Sequence, residues 1–432
     1  MAAPYRFFLL IAITASSAQA QTAPEAVRVR LGGDAPPTTS EVRSTVAPLV
    51  LDGAWTVPVG RTLRLQAQGR EVEASADGKT HRANVIRLSG GPLAVRLGTS
   101  DRTYLGDLTV RVRQGRLEMV NTVPVEDYVA SVVASEYPFP EAAGIQAQAV
   151  LARTYALRRL GSTLTYDLDD HQGSQVYRGE GSVTARSRQA ALATAGEVLT
   201  YGGTLAETPY YSSSGGYTAD NEAVWQGAPL PYLRGVPDPT DADAPDHRWT
   251  TSAPRRAVLS ALQRQTGRRV TSIDVGERSR NGRVQTVRLG GGGTVTGPEF
   301  RTAVNAAIGT RTIRSTRFEI REDGDRYVFE GGGYGHGVGM SQYGARGLAR
   351  QGRTYREILA HYFQGTSLDR LGGPALAASS TSRAETPRWP SEPRIVDLEP
   401  DTDAEVTARP RTWPVPRRVA REAEAAPRRR AW

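Results

Sequence analysis

"VASVVASEYPFPEAAGIQAQAVLARTYAL", residues 129–157, is the stretch on which the reading of this chain turns. Ahead of Pro138 the run from Glu126 has helical spacing. Val129, Val132 and Val133 fall at i, i+3 and i+4, and Glu136 continues the same face at i+7. Proline then forbids the helix from continuing, so an apolar stripe ends on a carboxylate. Two readings stand side by side. In one, a frayed helix end carries its charge into water. In the other, the acid sits among apolar groups, where lost hydration raises its pKa and keeps it able to donate a proton near neutrality. A lone acid of the second kind suits cleavage of an acid-labile bond such as a glycosidic linkage.

Past "YPFP", residues 141–160 predict a second helix, with Gly161 as its C-terminal cap. Gln146 and Arg153 lie two turns apart on one face, and the small Ala147 and Ala149 permit close approach by another element. Arg153 either positions an anionic or carbonyl group of a ligand or pairs with a structural carboxylate.

Upstream, "VRVRL" (27–31) and "RTLRLQAQG" (61–69) alternate as short antiparallel strands do. "LTVRV", Gln114-Gly115 and "RLEMV" read as a hairpin, as do the runs either side of Asn281-Gly282. Helical patterns recur at 257–267 and 354–363. Strands and helices mix without βαβ alternation, so the fold class is α+β. The expected organisation is an export signal over 1–20, a β-rich N-terminal region over 21–97, a main domain over 98–370 and a disordered Pro/Arg-rich tail over 371–432.

Composition narrows the function. The chain has 432 residues, a net charge of +9 and no cysteine, which excludes a thiolate metal site or cysteine nucleophile. Lys79 is the only lysine, so the positive charge is almost all arginine. Export and that charge suit an anionic envelope polymer or membrane surface, contacted through the basic end of the tail; Arg-rich coding bias with solvated charges is the bland alternative. No nucleic-acid motif is present.

"DDHQGSQVYRG" (169–179) and "TPYYSSSGGYTADNEAVW" (208–225) combine aromatic faces with hydroxyl and amide groups, as carbohydrate-facing segments do, although turns use the same residues. "GGGYGHGVGMSQYGA" (331–345) is a backbone built for sharp turns and close approach. It fits neither G-x-G-x-x-G nor a P-loop. His336 has no partner at zinc-helix spacing and reads as a hydrogen-bonding residue of the loop.

Together, "VNTVPVEDYVASVVASEYP" (120–138), "AQAVLARTYAL" (147–157), "SQVYRG" (174–179), "YYSSSGGYTADNEAVW" (210–225), "PYLRGV" (231–236) and "YGHGVGMSQYGARGLARQG" (334–352) resemble the stage II sporulation protein D (SpoIID) family, which includes amidase-enhancer proteins. The resemblance covers about residues 98–370. It implies a peptidoglycan lytic transglycosylase of mixed α and β structure with a glycan cleft, Glu136 as the catalytic acid and base, and 1,6-anhydro-muramyl products. Glycan strands and a cell-wall amidase are the implied partners. The resemblance places the family's second-helix arginine on Arg153, and the candidate substrate-binding residues are Gln146, Arg153, Gln175, Tyr177, Tyr211, Ser212, Ser213, Tyr217, Tyr334, His336, Ser341 and Gln342. Two departures stand out. Gln146 occupies the place of the family's usual lysine. Some relatives also bind zinc through a histidine and two cysteines, and His171 matches that histidine in a chain without cysteine, so no metal and no cofactor is expected. The alternatives to an enzyme are a non-catalytic wall-binding stimulator of an amidase and a structural envelope protein linked through its tail.

Overall fold

Val27, Val29 and Leu31 alternate with part-exposed residues along Ala26–Leu31, which makes this strand one-sided and ties it to a core. It pairs antiparallel with Arg116–Pro124, from Ala26 opposite Pro124 to Leu31 opposite Met119. Around this pair, seven strands run in the order Leu168–Asp169, Ala26–Leu31, Arg116–Pro124, Asp107–Arg113, Val85–Ser89, Leu49–Leu51 and Trp55–Val57. A second sheet orders Ser100–Tyr104, Leu93–Leu97, Thr39–Ser44, Leu63–Gln68, Glu71–Ala76 and Lys79–Ala83. The computed structural model describes residues 25–371, except Asp34 and Gln226. The export segment 1–20 and the tail beyond Leu371 lie outside the described residues.

Both sheets cross the expected boundary at 97/98, and their inward side chains form one apolar cluster running from Val27 to Val198. The β-rich region 21–97 therefore has no core of its own. Its strands complete sheets whose other members come later in the chain. The hairpin at Gln114-Gly115 forms as its turn chemistry predicts, with φ of 53° and 73° at the two turn residues.

Seven helices are seen among the described residues: α1 (Val125–Glu136), α2 (Ala142–Arg158), α3 (Ala185–Ala193), α4 (Arg255–Thr266), α5 (Gly297–Ile308), α6 (Gln342–Arg350) and α7 (Tyr355–Tyr362). The architecture is mixed α and β, in line with the α+β expectation. α2 is a shared wall. Ala149, Ala152 and Ala156 face the first core, while Ala147, Val150 and Leu151 face another built with α7 and the Gly-rich segment. Small residues on both faces let two layers approach one helix.

The stretch expected to belong to one domain over 98–370 also carries a third apolar cluster, from Trp249 to Phe329. There a sheet of Trp249–Pro254, Arg326–Gly331 and Phe318–Asp323 packs with α4, α5 and the hairpin around Asn281-Gly282. Phe300, Phe318 and Phe329 form its centre, with ring centroids 5.5–6.1 Å apart. The fold thus inserts a separate core between Asp241 and the Gly-rich segment.

Candidate active site

α1 ends where the sequence requires. Tyr137, held ahead of Pro138, leaves the helix at φ −124° and ψ 89°, and its N–H still reaches the Val133 carbonyl at 2.9 Å. Glu136 is thereby the last helical residue. Its backbone carbonyl, which the ended helix leaves without a partner, accepts from Gln342 Nε2 at 2.8 Å. Its side chain turns to the extended segment 175–179, where Oε1 accepts the Val176 N–H at 2.8 Å.

Glu136 keeps only part of its surface exposed. Burial raises its pKa from an ordinary 4.5 to about 7, against the opposing pull of the Val176 N–H, the Arg178 charge and the Tyr210 hydroxyl. Protein mass around the group desolvates it, while the remaining exposure gives a ligand access. At neutral pH both protonation states are populated.

A relay of side chains fixes the floor. Tyr128 donates to Gln175 Oε1 at 3.0 Å, and Gln175 Nε2 donates to the Tyr210 hydroxyl at 3.2 Å. Tyr210 therefore keeps its own proton for donation towards Glu136. His336 Nδ1 accepts the Val338 N–H at 3.1 Å, so Nε2 carries the proton given to the Tyr210 carbonyl at 3.0 Å. The imidazole ring lies 5.1 Å from Tyr211 and 4.9 Å from Trp225. Gly337 and Gly339, at φ of 92° and 76°, allow this close weave; a Cβ on Gly339 would meet the Pro209 carbonyl oxygen at 2.2 Å.

Beneath the loop lies a carboxylate that sequence reading missed. Asp241, fully buried, accepts from Ser213 Oγ (2.9 Å), the Ser214 and Gly215 N–H groups (3.1 and 2.8 Å) and Ser341 Oγ (3.1 Å), and contacts His247 Nδ1 at 3.0 Å. It fastens the serine-glycine turn to the N-terminus of α6 where the insertion begins. No spacing rule points to it, because besides the nearby His247 its partners come from 213–215 and from Ser341, well separated along the chain.

The expected site residues divide. Glu136, Gln175, Tyr211, His336 and Gln342 come together, although Gln175 and Gln342 act by supporting their neighbours. Gln146 is part-exposed on α2. Ser212 is part-exposed, and its carbonyl takes the Tyr343 N–H at 3.0 Å. Tyr217 is part-exposed and bridges to Pro237.

Others are corrected to structural positions. Tyr177 is buried between Tyr104 and Tyr128 and donates to Asn121 at 2.7 Å. Tyr334 is buried, pairs through its backbone with Ser213 and lies under the Arg311 guanidinium. Ser213 and Ser341 are buried on Asp241. Arg153 is the clearest correction, since its guanidinium is 0 % exposed. It pairs with both oxygens of Glu126 (2.9 and 2.5 Å) and donates to the carbonyls of Ala191 (3.0 Å) and Glu197 (3.1 Å). Seven residues of helix put it beside the start of α1, a helix length from Glu136.

Among the described residues no group of three or more His, Asp or Glu side chains is placed to hold a metal ion, and no helix is long and apolar enough to cross a membrane.

Comparison with known proteins agrees with the motifs. Residues 113–201 match the model of the stage II sporulation protein family, SpoIID, and residues 240–339, which include most of the inserted core, match a domain of unknown function. The chain is 32% identical over 274 residues to Stage II sporulation protein D of Bacillus subtilis, covering 58% of this chain and 76% of that protein. Its counterpart in Bacillus amyloliquefaciens is 34% identical over 277 residues, covering 58% and 75%. The Amidase enhancer of Bacillus subtilis is 30% identical over 277 residues, covering 52% of this chain and 37% of that protein.

Proposed function

The chain belongs to the SpoIID family, and from that premise we propose that it is a peptidoglycan lytic transglycosylase acting in the cell envelope after export. The observation that carries this reading is Glu136, a part-exposed acid with a pKa of about 7, raised by burial, on which among the described residues the charge that acts is that of Arg178. Ordinary glycosidases need two carboxylates, one to protonate the leaving oxygen and one to attack or to activate water. A single acid suffices when the nucleophile is carried by the substrate. Protonated Glu136 gives its proton to the glycosidic oxygen as the bond to the muramic acid C1 breaks. The C6 hydroxyl oxygen of the same sugar then bonds to C1, and its proton passes to Glu136. The acid is restored, no water is consumed, and the strand ends in a 1,6-anhydro sugar. Proximity of the internal hydroxyl replaces the second protein group.

The Val176 N–H and the Tyr210 hydroxyl orient the carboxylate and stabilise its charged form midway through the cycle. A glycan strand lying across Glu136 and the part-exposed rings of Trp225 and His336, with the buried Tyr211 packed behind His336, is the arrangement this reading requires. The test is digestion of purified glycan strands with mass analysis for anhydro ends. The native protein forms them, and Glu136→Gln lowers the rate by about 10²–10⁴-fold, the usual worth of general acid-base catalysis. Equal rates would overturn the assignment. The likeness to the amidase enhancer favours a second reading, a wall-binding protein that stimulates an amidase without cutting glycan itself. Strand binding without anhydro products, together with stimulation of an added amidase, would select it.

A further inference from the structure

The segment 175–179, which belongs to no sheet, crosses the end of α1. Its side chains alternate, Gln175 and Tyr177 inward, Val176 and Arg178 outward. Its edge facing α1 presents the N–H groups of Val176 and Arg178. The first is taken by Glu136 Oε1 at 2.8 Å and the second by Ser131 Oγ at 3.3 Å. Ser131 Oγ also donates to the Gly179 carbonyl at 2.9 Å. The backbone of residue 178 is thus clamped to the helix that carries the acid, while its side chain is exposed.

The neighbouring arginines are spent on partners: Arg153 on Glu126, Arg158 on Glu207 and Arg188 on Asp127 and Glu180. Among the described residues Arg178 forms no such ion pair. The groups acting on Glu136 are the Val176 N–H, Tyr210 and the Arg178 charge, and Glu136 in turn acts on Tyr128 of α1 and Tyr155 of α2. The tyrosines are neutral in the working range, because burial holds all three above their ordinary pKa. Among the described residues Arg178 is therefore the charge that acts on the acid, and its side chain is exposed.

We propose that Arg178 is a substrate-anchoring residue, whose guanidinium receives a carboxylate carried by the sugar being cleaved and so seats the glycosidic oxygen at Glu136. This rests on the glycan-cleaving reading above. A guanidinium matches a carboxylate with two parallel hydrogen bonds, which fixes direction as well as position. The contact has a second consequence. In the empty enzyme Arg178 favours the ionised form of Glu136. A carboxylate seated on Arg178 offsets that charge, so Glu136 holds its proton more firmly when substrate is bound. The acid is thereby loaded by the molecule it is to cut.

The test uses the full chain with Arg178→Gln and Arg178→Lys, each first shown to melt at the wild-type temperature. Three substrates are compared: strands with free lactyl carboxylates, strands bearing stem peptides, and strands whose carboxyls have been reduced to alcohols. Arg178→Gln is expected to raise KM about tenfold or more on a carboxylate-bearing strand, the worth of a charge-assisted hydrogen-bonded pair. It is expected to leave KM on reduced strands unchanged, and Arg178→Lys to recover part of the loss. The strand type that shows the effect identifies the carboxylate as lactyl or peptide. The basic limb of kcat should also lie at higher pH than that of kcat/KM in the wild type, and this separation should vanish in Arg178→Gln. Equal KM changes on carboxylated and reduced strands overturn the proposal. Should the wild type cut none of the strands, the proposed reaction fails. Sedimentation binding of the same three strands then judges Arg178 alone, with equal binding by wild type and Arg178→Gln counting against it.

Discussion

Replacing Glu136 by glutamine is expected to stabilise the protein at pH 8 while abolishing cleavage, and to change its stability little near pH 4.5. Glu136 moves from an ordinary 4.5 to about 7 on folding because burial penalises its charged form. At 1.36 kcal/mol per pKa unit, this corresponds to about 3 kcal/mol of lost stability once the group is ionised in both states. Residual exposure of Glu136 screens the effect, which brings the expectation to about 1–3 kcal/mol. The sign follows from proton counting. Between pH 4.5 and about 7 the folded protein binds more protons here than the unfolded chain, so this group's contribution falls as pH rises. Below pH 4.5 both forms are protonated and the penalty is absent; above about 7 it is fully present. Glutamine keeps an oxygen to accept the Val176 N–H but carries no charge to desolvate. The assay is urea denaturation of the two proteins from pH 4.5 to 8.5, read as the difference between them so that other titrating groups cancel. A difference that stays flat with pH, or a glutamine variant less stable at pH 8, would refute the account of Glu136 as a buried acid.

Two further outcomes test the positions around it. Arg153→Ala should cost about 3 kcal/mol in denaturant unfolding, because it removes a fully buried guanidinium, frees the carbonyls of Ala191 and Glu197 and leaves the part-exposed Glu126 with the Gly196 N–H in place of its ion pair; a variant of wild-type stability that loses only glycan affinity would restore Arg153 to a ligand-binding role. Gly144→Ala places a Cβ 2.0 Å from the hydroxyl of the buried Tyr137, and the overpacking cost of about 1–3 kcal/mol outweighs the roughly 1 kcal/mol that alanine gains in a helix. The melting temperature should fall, and kcat with it, since Tyr137 adjoins Glu136; a more stable and fully active variant would show that Tyr137 moves aside freely.

The helices at 125–136 and 142–158, the turns at Gln114-Gly115 and Asn281-Gly282, and the halt of α1 at Pro138 were legible in the sequence alone. All of these rest on interactions within a few residues: apolar spacing, a proline without an N–H, turn positions needing positive φ. Glu136 was legible as a candidate for the same reason, since the anomaly of an acid on an apolar stripe is local. Its two readings were separated only by the fold. Whether a carboxylate at a helix end meets water or protein depends on what the rest of the chain lays against it, and here that is the segment 175–179, Tyr210 and Gln342, distant in sequence from α1. The same dependence explains the reassignment of Arg153 and Tyr177, whose side chains are consumed by Glu126 and Asn121, and the late appearance of Asp241 and Arg178. Strand pairing crosses residues 97/98 because it joins residues by hydrogen bonds across a sheet, regardless of their separation along the chain. Local pattern specifies which elements form, whereas desolvation and charge pairing are properties of position in space, and those were decided by the tertiary structure.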